Sequence, residues 1–374
     1  MRHHCRVVAF AGLALLAGLT NFAGCGGGDA PPVSREGPVG DAAAQIWHQG
    51  PRLPAPVANN AVAAVAGQGG VTVLSFLGMD STKVWSGVTN AAYRWDFEGD
   101  EGWRQIEPVP GPGRLASTVQ VLGGRVFVFG GYTVAEDGSE KSLPDVNVYD
   151  PGTDAWSRAA DIPLPVDDAM SGLWRGSRIY LVSGWHDTGN VADVQIYDPG
   201  SNTWASGTPI PGEPVFGHSG AIVGDDIIYV GGAKVVEGRP RFVEDRAAWR
   251  GRIDRAEPTN IAWEPLSHPP GVPLYRAAAG SIGDLVVLAG GTDNPYNYNG
   301  IGYDGEPSSP AHRLLAYDPK TGWVSLPAPP VATMDHRTLG VAGGYVFLVG
   351  GMTDPQRVSD RVWYAKVEAL LEGR

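Results

Sequence analysis

Six tryptophans, Trp47, Trp103, Trp156, Trp204, Trp263 and Trp323, recur at intervals of 48 to 60 residues. Each is followed seven positions later by a proline: Pro54, Pro110, Pro163, Pro211, Pro270 and Pro330. Only 31 of the 374 residues are proline, so six coincidences in six are not chance. Between successive tryptophans an apolar run ends in Gly-Gly or a relic of it: Leu77-Gly78, Gly130-Gly131, Ser183-Gly184, Gly231-Gly232, Gly290-Gly291 and Gly350-Gly351. A repeat of this kind constrains the fold before any single residue is interpreted. Each unit must be one supersecondary piece that cannot bury its apolar face alone, and the pieces must pack on one another. The length therefore does not imply two or three unrelated domains.

Within a unit the apolar runs are short and bounded by turn residues, which reads as strands. In the second unit this predicts strand a over 115–122, strand b over 125–129, strand c over 145–149 and strand d from Trp156. Val126-Phe127-Val128-Phe129 has no polar alternation, as expected of a strand buried on both faces. The Gly-Gly pairs end strand b where the chain turns close to a neighbour without a Cβ. The tryptophans are expected to pack between adjacent sheets. Three units add a turn: Tyr149-Asp150-Pro151, Tyr197-Asp198-Pro199 and Tyr317-Asp318-Pro319.

Gly-Gly, then Tyr-Asp-Pro, then Trp resembles the kelch repeat, which implies one four-stranded propeller blade per repeat and a fold of the galactose oxidase-like superfamily. The resemblance covers residues 46 to about 367 and implies an all-β, six-bladed kelch β-propeller over 46–374. Composition agrees: 43% hydrophobic and 18% charged residues can fill a core, unlike a disordered chain. The last unit predicts strand a over 338–342, strand b over 345–349 and strand c over 361–367, and then lacks a Trp-Pro strand. Trp47 to Pro54 comes before any complete unit. The N-terminal strand is therefore expected to close the last blade and pair its open edge.

The first 24 residues read as a secretory signal: Arg2 and Arg6 precede a uniformly apolar run over 7–19, too short for the roughly 20 residues that span a bilayer. Phe22-Ala23-Gly24-Cys25 resembles the lipobox of bacterial lipoproteins, which implies lipidation of Cys25. Residues 25–45, rich in Gly, Ala and Pro, then read as a lipidated cysteine and flexible tether. Gly26 rather than Asp implies anchoring at the outer membrane, facing periplasm or surface. The membrane would be touched through this lipid alone.

The formal charge is −12 with no basic run, which argues against nucleic acid as a partner. The two cysteines, Cys5 and Cys25, both fall in the leader region, so the body has no disulfide, thiolate metal site or cysteine nucleophile. Galactose oxidase has a kelch-type propeller, but its copper-radical chemistry needs a Tyr cross-linked to Cys, so that chemistry is excluded. The scattered histidines show no metal spacing. The calcium-like offsets at Asn297, Asn299, Gly300 and Glu306 would place Pro295 in the first ligand position, where it has no ligating side chain. No metal and no cofactor is expected.

The starts of strand a and the ends of strand b share one face. Reading those starts gives Asn60, Arg114, Asp168, His218, Arg276 and the pair His336-Arg337, a mostly charged ring beside the central axis. In kelch proteins this ring and the b-to-c loops resemble the usual ligand-binding mouth. Three arginines against one Asp168 would suit an anionic or polyhydroxylated ligand; the alternative is that the same groups bridge blades by ion pairs. The loops add Tyr132, Trp185 with His186 and Asp187, and a long insertion after Gly291 bearing Tyr296, Tyr298 and Tyr303, aromatic faces of the type that stack on sugars.

The chain also resembles the bacterial periplasmic N-acetylneuraminate epimerases (sialic acid mutarotases), exported six-bladed kelch propellers. The resemblance rests on Leu77-Gly78 with Trp85 in the first blade, and on the layout from Gly130-Gly131 through Asp145-Val146 to Trp156. It implies a catalytic Glu and Arg on and after the fourth blade's strand b. The aligned Glu position is Gly232, and Arg239 or Arg241 stands for the Arg. Mutarotation needs a general acid and base, for which Glu237, Asp168 or His218 are the substitutes. Two functions are expected: a binding module for a glycan or envelope protein at the mouth, or a sugar mutarotase working through Arg239 with those groups.

Overall fold

A computed structural model describes residues 46–99, 101–271 and 274–372. The signal segment, Cys25 and the tether lie outside the described residues. Six four-stranded antiparallel sheets, with four two-stranded hairpins in the b-to-c connections, make up the described residues. Their innermost strands touch in a closed circle, the sixth returning to the first. Strand a is Ala61–Gly67, Thr118–Leu122, Met170–Trp174, Ser219–Val223, Ala278–Ile282 and Gly340–Ala342 in blades 1 to 6. Strand b is Gly70–Phe76, Arg125–Phe129, Arg178–Val182, Asp226–Val230, Leu285–Ala289 and Tyr345–Val349, and its side chains are the driest in the molecule. Strand c is Ala92–Asp96, Val146–Asp150, Val194–Asp198, Ala248–Ile253, Leu314–Asp318 and Val362–Lys366. The fold is the expected all-β six-bladed propeller.

Boundaries shift where local geometry intervenes. Strand a of blade 2 begins at Thr118 rather than Leu115. Leu115 makes an isolated bridge to Tyr132, and Ala116 turns into the left-handed region at φ 58°. Strand a of blade 6 is shortened to Gly340–Ala342, and Thr338 before it instead makes a parallel bridge to Ala279 of blade 5.

The repeated tryptophan has a repeated hydrogen bond. Each indole Nε1–H donates to the backbone carbonyl four residues after the preceding blade's tryptophan. The bonds are Trp103 to Pro51 at 3.0 Å, Trp156 to Glu107 at 2.9 Å and Trp204 to Ala160 at 3.0 Å. They continue with Trp263 to Thr208 at 3.2 Å and Trp323 to Ser267 at 2.9 Å. The tyrosines of the Tyr-Asp-Pro turns lean on the same indoles: Tyr149 on Trp156, Tyr197 on Trp204 and Tyr317 on Trp323 each have ring centroids 5.0 Å apart. Proline at the seventh position falls where strand d has left the sheet. The residue before it still bonds to its own blade, as in Leu53 N–H to Asp360 O and Ile162 N–H to Pro144 O. An absent N–H is tolerated there.

The sixth blade takes its outer strand from the start of the described chain. Trp47–Gln49 pairs antiparallel with Val362–Lys366, Trp47 facing Ala365. Trp47 is 2% exposed, packs with Leu314, Leu326 and Leu348, and donates Nε1–H to Pro327 O at 2.9 Å. That bond is the sixth member of the indole series. Deleting residues 46–54 is expected to abolish cooperative unfolding, and Trp47→Ala alone to lower stability by about 3–5 kcal/mol. A thermal melt of the deletion variant that matches the parent would contradict this closure.

Candidate functional site

The face carrying the b-to-c connections is the expected mouth, and at its centre the blades are tied together by backbone. A residue ahead of each strand a, by two positions in blades 1 to 5 and five in blade 6, adopts positive φ: Asn59, Ala116, Asp168, Gly217, Arg276 and Asp335, with φ between 51° and 65°. Five of the six are not glycine, and such conformations cost of order 1–3 kcal/mol each unless the surroundings hold them. Here a circle of hydrogen bonds holds them. Asp168 N–H donates to Ala116 O at 3.1 Å, Gly217 to Asp168 O at 2.9 Å and Arg276 to Gly217 O at 2.8 Å. His336 N–H donates to Arg276 O at 3.1 Å and Asn59 N–H to Asp335 O at 2.9 Å. The last link uses a side chain, Ala116 N–H donating to Asn59 Oδ1 at 2.6 Å. The axis is thereby bridged rather than open.

The expected ring of Asn60, Arg114, Asp168, His218, Arg276, His336 and Arg337 is resolved differently. Only Asp168 and Arg276 occupy equivalent ring positions. Asn60, His218 and His336 come one residue later, Arg337 two later and Arg114 two earlier, so their side chains leave the left-handed turn in other directions. Arg114 is fully buried, its Nε–H on Gly130 O at 2.8 Å and its Nη2–H on Asn147 Oδ1 at 2.7 Å. Burial lowers its pKa to about 10. His218 shares a bond with Val182 O at 2.9 Å and is pushed by burial down to about 4; His336 is bonded to Thr333 Oγ1 at 2.7 Å and pushed by burial down to about 3. Both imidazoles are neutral at pH 7.

Asp168, Arg276, Arg337 and Asp335 form one buried cluster joining blades 3, 5 and 6. Arg276 grips Asp168 with two bonds, Nε to Oδ1 at 3.2 Å and Nη2 to Oδ2 at 2.6 Å, and its Nη1 lies 3.3 Å from Asp335 Oδ1. Arg337 Nη2 lies 2.5 Å from Asp168 Oδ1. Burial pushes Asp168 up, but the two guanidinium groups outweigh it and hold the carboxyl below its ordinary value. Burial and the neighbouring Asp168 raise Asp167 well above its ordinary value; its Oδ2 accepts from Ser142 Oγ at 2.6 Å.

The long connection of blade 5 lies over this cluster and fills the mouth. Arg276 Nη1–H donates to Asn297 O, and its guanidinium sits 5.3 Å from the Tyr296 ring centroid and 5.0 Å from that of Tyr275. Tyr296 is fully buried, and its carbonyl accepts from Tyr275 Oη at 2.7 Å. Asn297 reaches blade 2, accepting from Tyr132 Oη at 3.1 Å and donating to Glu140 Oε1 at 2.6 Å. Lys83 of blade 1 donates to Asn299 O at 3.1 Å, Gln356 of blade 6 donates to Ser308 O at 3.0 Å, and Tyr303 packs 4.5 Å from Phe242 of blade 4.

The aromatic candidates are therefore used internally. Tyr132 is 3% exposed. Trp185 packs edge-on against Phe216 and Phe242, and Arg241 stacks 5.7 Å from its ring. Glu237 and Arg239 stand exposed at the tip of the Ala233–Val235 and Phe242–Glu244 hairpin, away from the buried Asp168 and His218. Gly232, aligned to a catalytic Glu, has φ 92°, and a Cβ there would lie 2.8 Å from Phe216 O and from His218 Cβ. Gly78, Gly131, Gly184, Gly291 and Gly351 fill the same slot in the other blades, all at positive φ. Glycine at 232 answers a backbone requirement and is silent about catalysis. The sequence reading missed Asn59, Asp335, Tyr275 and Asn297 as partners of Arg276 or of the ring. The ring residues sit twelve or thirteen positions after each blade's tryptophan, a count that would have found them. Among the described residues, no group of three or more His, Cys, Asp or Glu side chains could hold a metal ion.

The family profile described as the KLHDC2/KLHL20/DRC7 Kelch-repeats domain matches residues 22–236. N-acetylneuraminate epimerase of Yersinia enterocolitica serotype O:8 / biotype 1B is 38% identical over 71 residues, 18% of each chain. N-acetylneuraminate epimerase of Yersinia pestis (strain Pestoides F) is 31% identical over 86 residues, 22% of each chain. The matched stretches thus span about a fifth of these relatives. A solved structure titled "Structure of YjhT" superposes with a TM-score of 0.65 at 17% identity, covering 83% of this chain and 95% of that one, a likeness of fold.

Removing one partner of a buried ion pair strands the other charge, so Asp168→Asn is expected to cost about 3–5 kcal/mol in denaturant unfolding at pH 7. Because the folded carboxyl titrates below its ordinary 3.8, its contribution is present above that pH and is lost as pH falls through the lower folded value. The stability gap between parent and variant should therefore shrink in acid. A gap that is absent at pH 7, or that widens in acid, would contradict the cluster.

Proposed function

The chain belongs to the kelch-repeat family, and from that premise we propose that it is a binding module, anchored in the cell envelope through Cys25, that recognises a protein partner on the b-to-c face. One observation carries this reading. Among the described residues, the large apolar side chains left exposed are Val84 at 45%, Trp85 at 44%, Val235 at 38% and Ile301 at 38%. All four lie in b-to-c connections of that one face.

Lys83 ties two of these loops together, donating to Asn299 O at 3.1 Å and Gln356 O at 3.0 Å, so Val84 and Trp85 lie beside the segment bearing Ile301. Aliphatic groups around one aromatic anchor, with charged groups about them, suit a protein surface. Tyr132, Trp185 and Tyr296, the faces expected to stack on a glycan, are instead engaged by other side chains of the same molecule.

The similarity to N-acetylneuraminate epimerases supports a second reading, sugar mutarotation. It would need an acid and a base converging on one ring, whereas Glu237 and Arg239 are exposed at a hairpin tip, apart from the buried Asp168 and His218. The binding reading expects that a photo-cross-linker at position 84 captures one envelope protein. Trp85→Ala with Ile301→Ala should weaken the purified pair roughly 10- to 30-fold. NMR-monitored anomerisation of freshly dissolved N-acetylneuraminate should proceed at its spontaneous rate. Acceleration lost in Arg239→Ala would establish the mutarotase instead, and retention of a glycan by Trp85 would replace the protein partner.

A further inference from the structure

On the opposite face, which carries the tight a-to-b turns, the axis is open. A channel of about 400 Å³ runs inward between the six a strands. Small side chains keep it clear: Ala64, Gly172, Gly220, Ala279 and Gly280 line it, with Ala66 and Ser281 exposed at its rim. Such a volume is in the range of small-molecule sites. Val62, Val119, Leu173, Ile222 and Leu339 supply apolar stretches of the wall, with Gln120, Ser171 and Thr338 set among them.

The inner end is polar. A chamber of about 20 Å³, sharing Ser171, Gly220, Ala279 and Thr338 with the channel wall, is lined by Asp168, His218, His336 and Arg337. It has room for one or two water-sized groups. Two side chains more than nine-tenths buried leave a polar atom without a partner there. Arg337 donates Nη1–H to His336 O at 3.0 Å and holds Nη2 2.5 Å from Asp168 Oδ1 as an ion pair without a directed hydrogen bond, while Nε–H has no partner. His218 binds Val182 O through Nε2, which fixes the tautomer with the proton on that nitrogen and leaves Nδ1 as an unmet acceptor.

A head group completing this chamber must accept from Arg337 Nε–H and donate to His218 Nδ1. A hydroxyl or a primary amide does both; a carboxylate offers no proton, and an ammonium offers no acceptor. Charge points the same way, because Arg276 and Arg337 are already balanced by Asp168 and Asp335. We propose that the axial channel is a binding site for a small amphiphile with a neutral donor–acceptor head, an alcohol or primary amide, whose apolar body lies along the strand a walls. The site is on the other face from the proposed partner surface and stands independently of it.

The test is ligand-observed NMR and calorimetric titration of the purified protein with 1-hexanol, hexanamide, hexanoate and hexylamine. Hexanol and hexanamide are expected to bind at millimolar concentration or tighter, at least tenfold better than hexanoate or hexylamine. Ala66→Trp, at the exposed rim, should abolish binding while leaving the fold intact, and Arg337→Met should weaken it at least tenfold. Binding unaffected by Ala66→Trp, a preference for hexanoate or hexylamine, or no binding of any of the four by a folded protein would each overturn the proposal.

Discussion

Each blade is held to the one before it by an indole N–H that donates to a backbone carbonyl, and because the sixth of these bonds runs from Trp47 to Pro327 the series has no end. A single bond of this kind contributes only about 0.5–1.5 kcal/mol. Its position matters more than its size. It fixes the tilt at which one sheet meets the next, and a tryptophan buries roughly 150–250 Å² in the process. With Trp47–Gln49 against Val362–Lys366 the sixth sheet has the same four strands as the others, and only short inner and outer edges are left.

Closure at the outer wall permits closure at the axis. Five left-handed non-glycine residues would be a poor way to begin a strand in isolation. Set in a circle, they are linked blade to blade by backbone N–H to C=O bonds and, from Ala116 to Asn59, by a backbone-to-side-chain bond, so the strain is compensated by bonds no single blade could make. Asp168, Arg276, Arg337 and Asp335 then lie where three blades meet, and the blade 5 connection covers them. A buried ion cluster of this type is weak support for stability but is strongly destabilised by losing one member, which ties the blades together as a unit. The centre of the mouth is consequently filled, and among the described residues the axis opens on the other face.

What the sequence disclosed follows from what is repeated. Tryptophan, proline and Gly-Gly recur because each blade must solve the same packing problem, so six blades could be counted from spacing, and Val126-Phe127-Val128-Phe129 read as a doubly buried strand. Side-chain direction at the axis was not legible. His218 and His336 lie one residue past the ring position and Arg114 two before it, and a left-handed residue redirects whatever flanks it. The long connection holding Tyr296 and Asn297 has no counterpart in the other blades, so no internal comparison could show that it crosses the mouth to Tyr132 and Glu140. Gly232 meets a backbone requirement, its φ of 92° and the nearness of Phe216 O leaving no ordinary place for a side chain, so its identity does not bear on catalysis.

Native-state hydrogen exchange tests the closed circle most directly. The amides of Trp47–Gln49 should exchange at the same free energy as the ring amides of Asn59, Asp168, Gly217, Arg276 and His336, through one global opening. An N-terminal strand that exchanges several kcal/mol more easily than that ring would mean that blade 6 stands without it, and that the propeller is not held shut by Trp47.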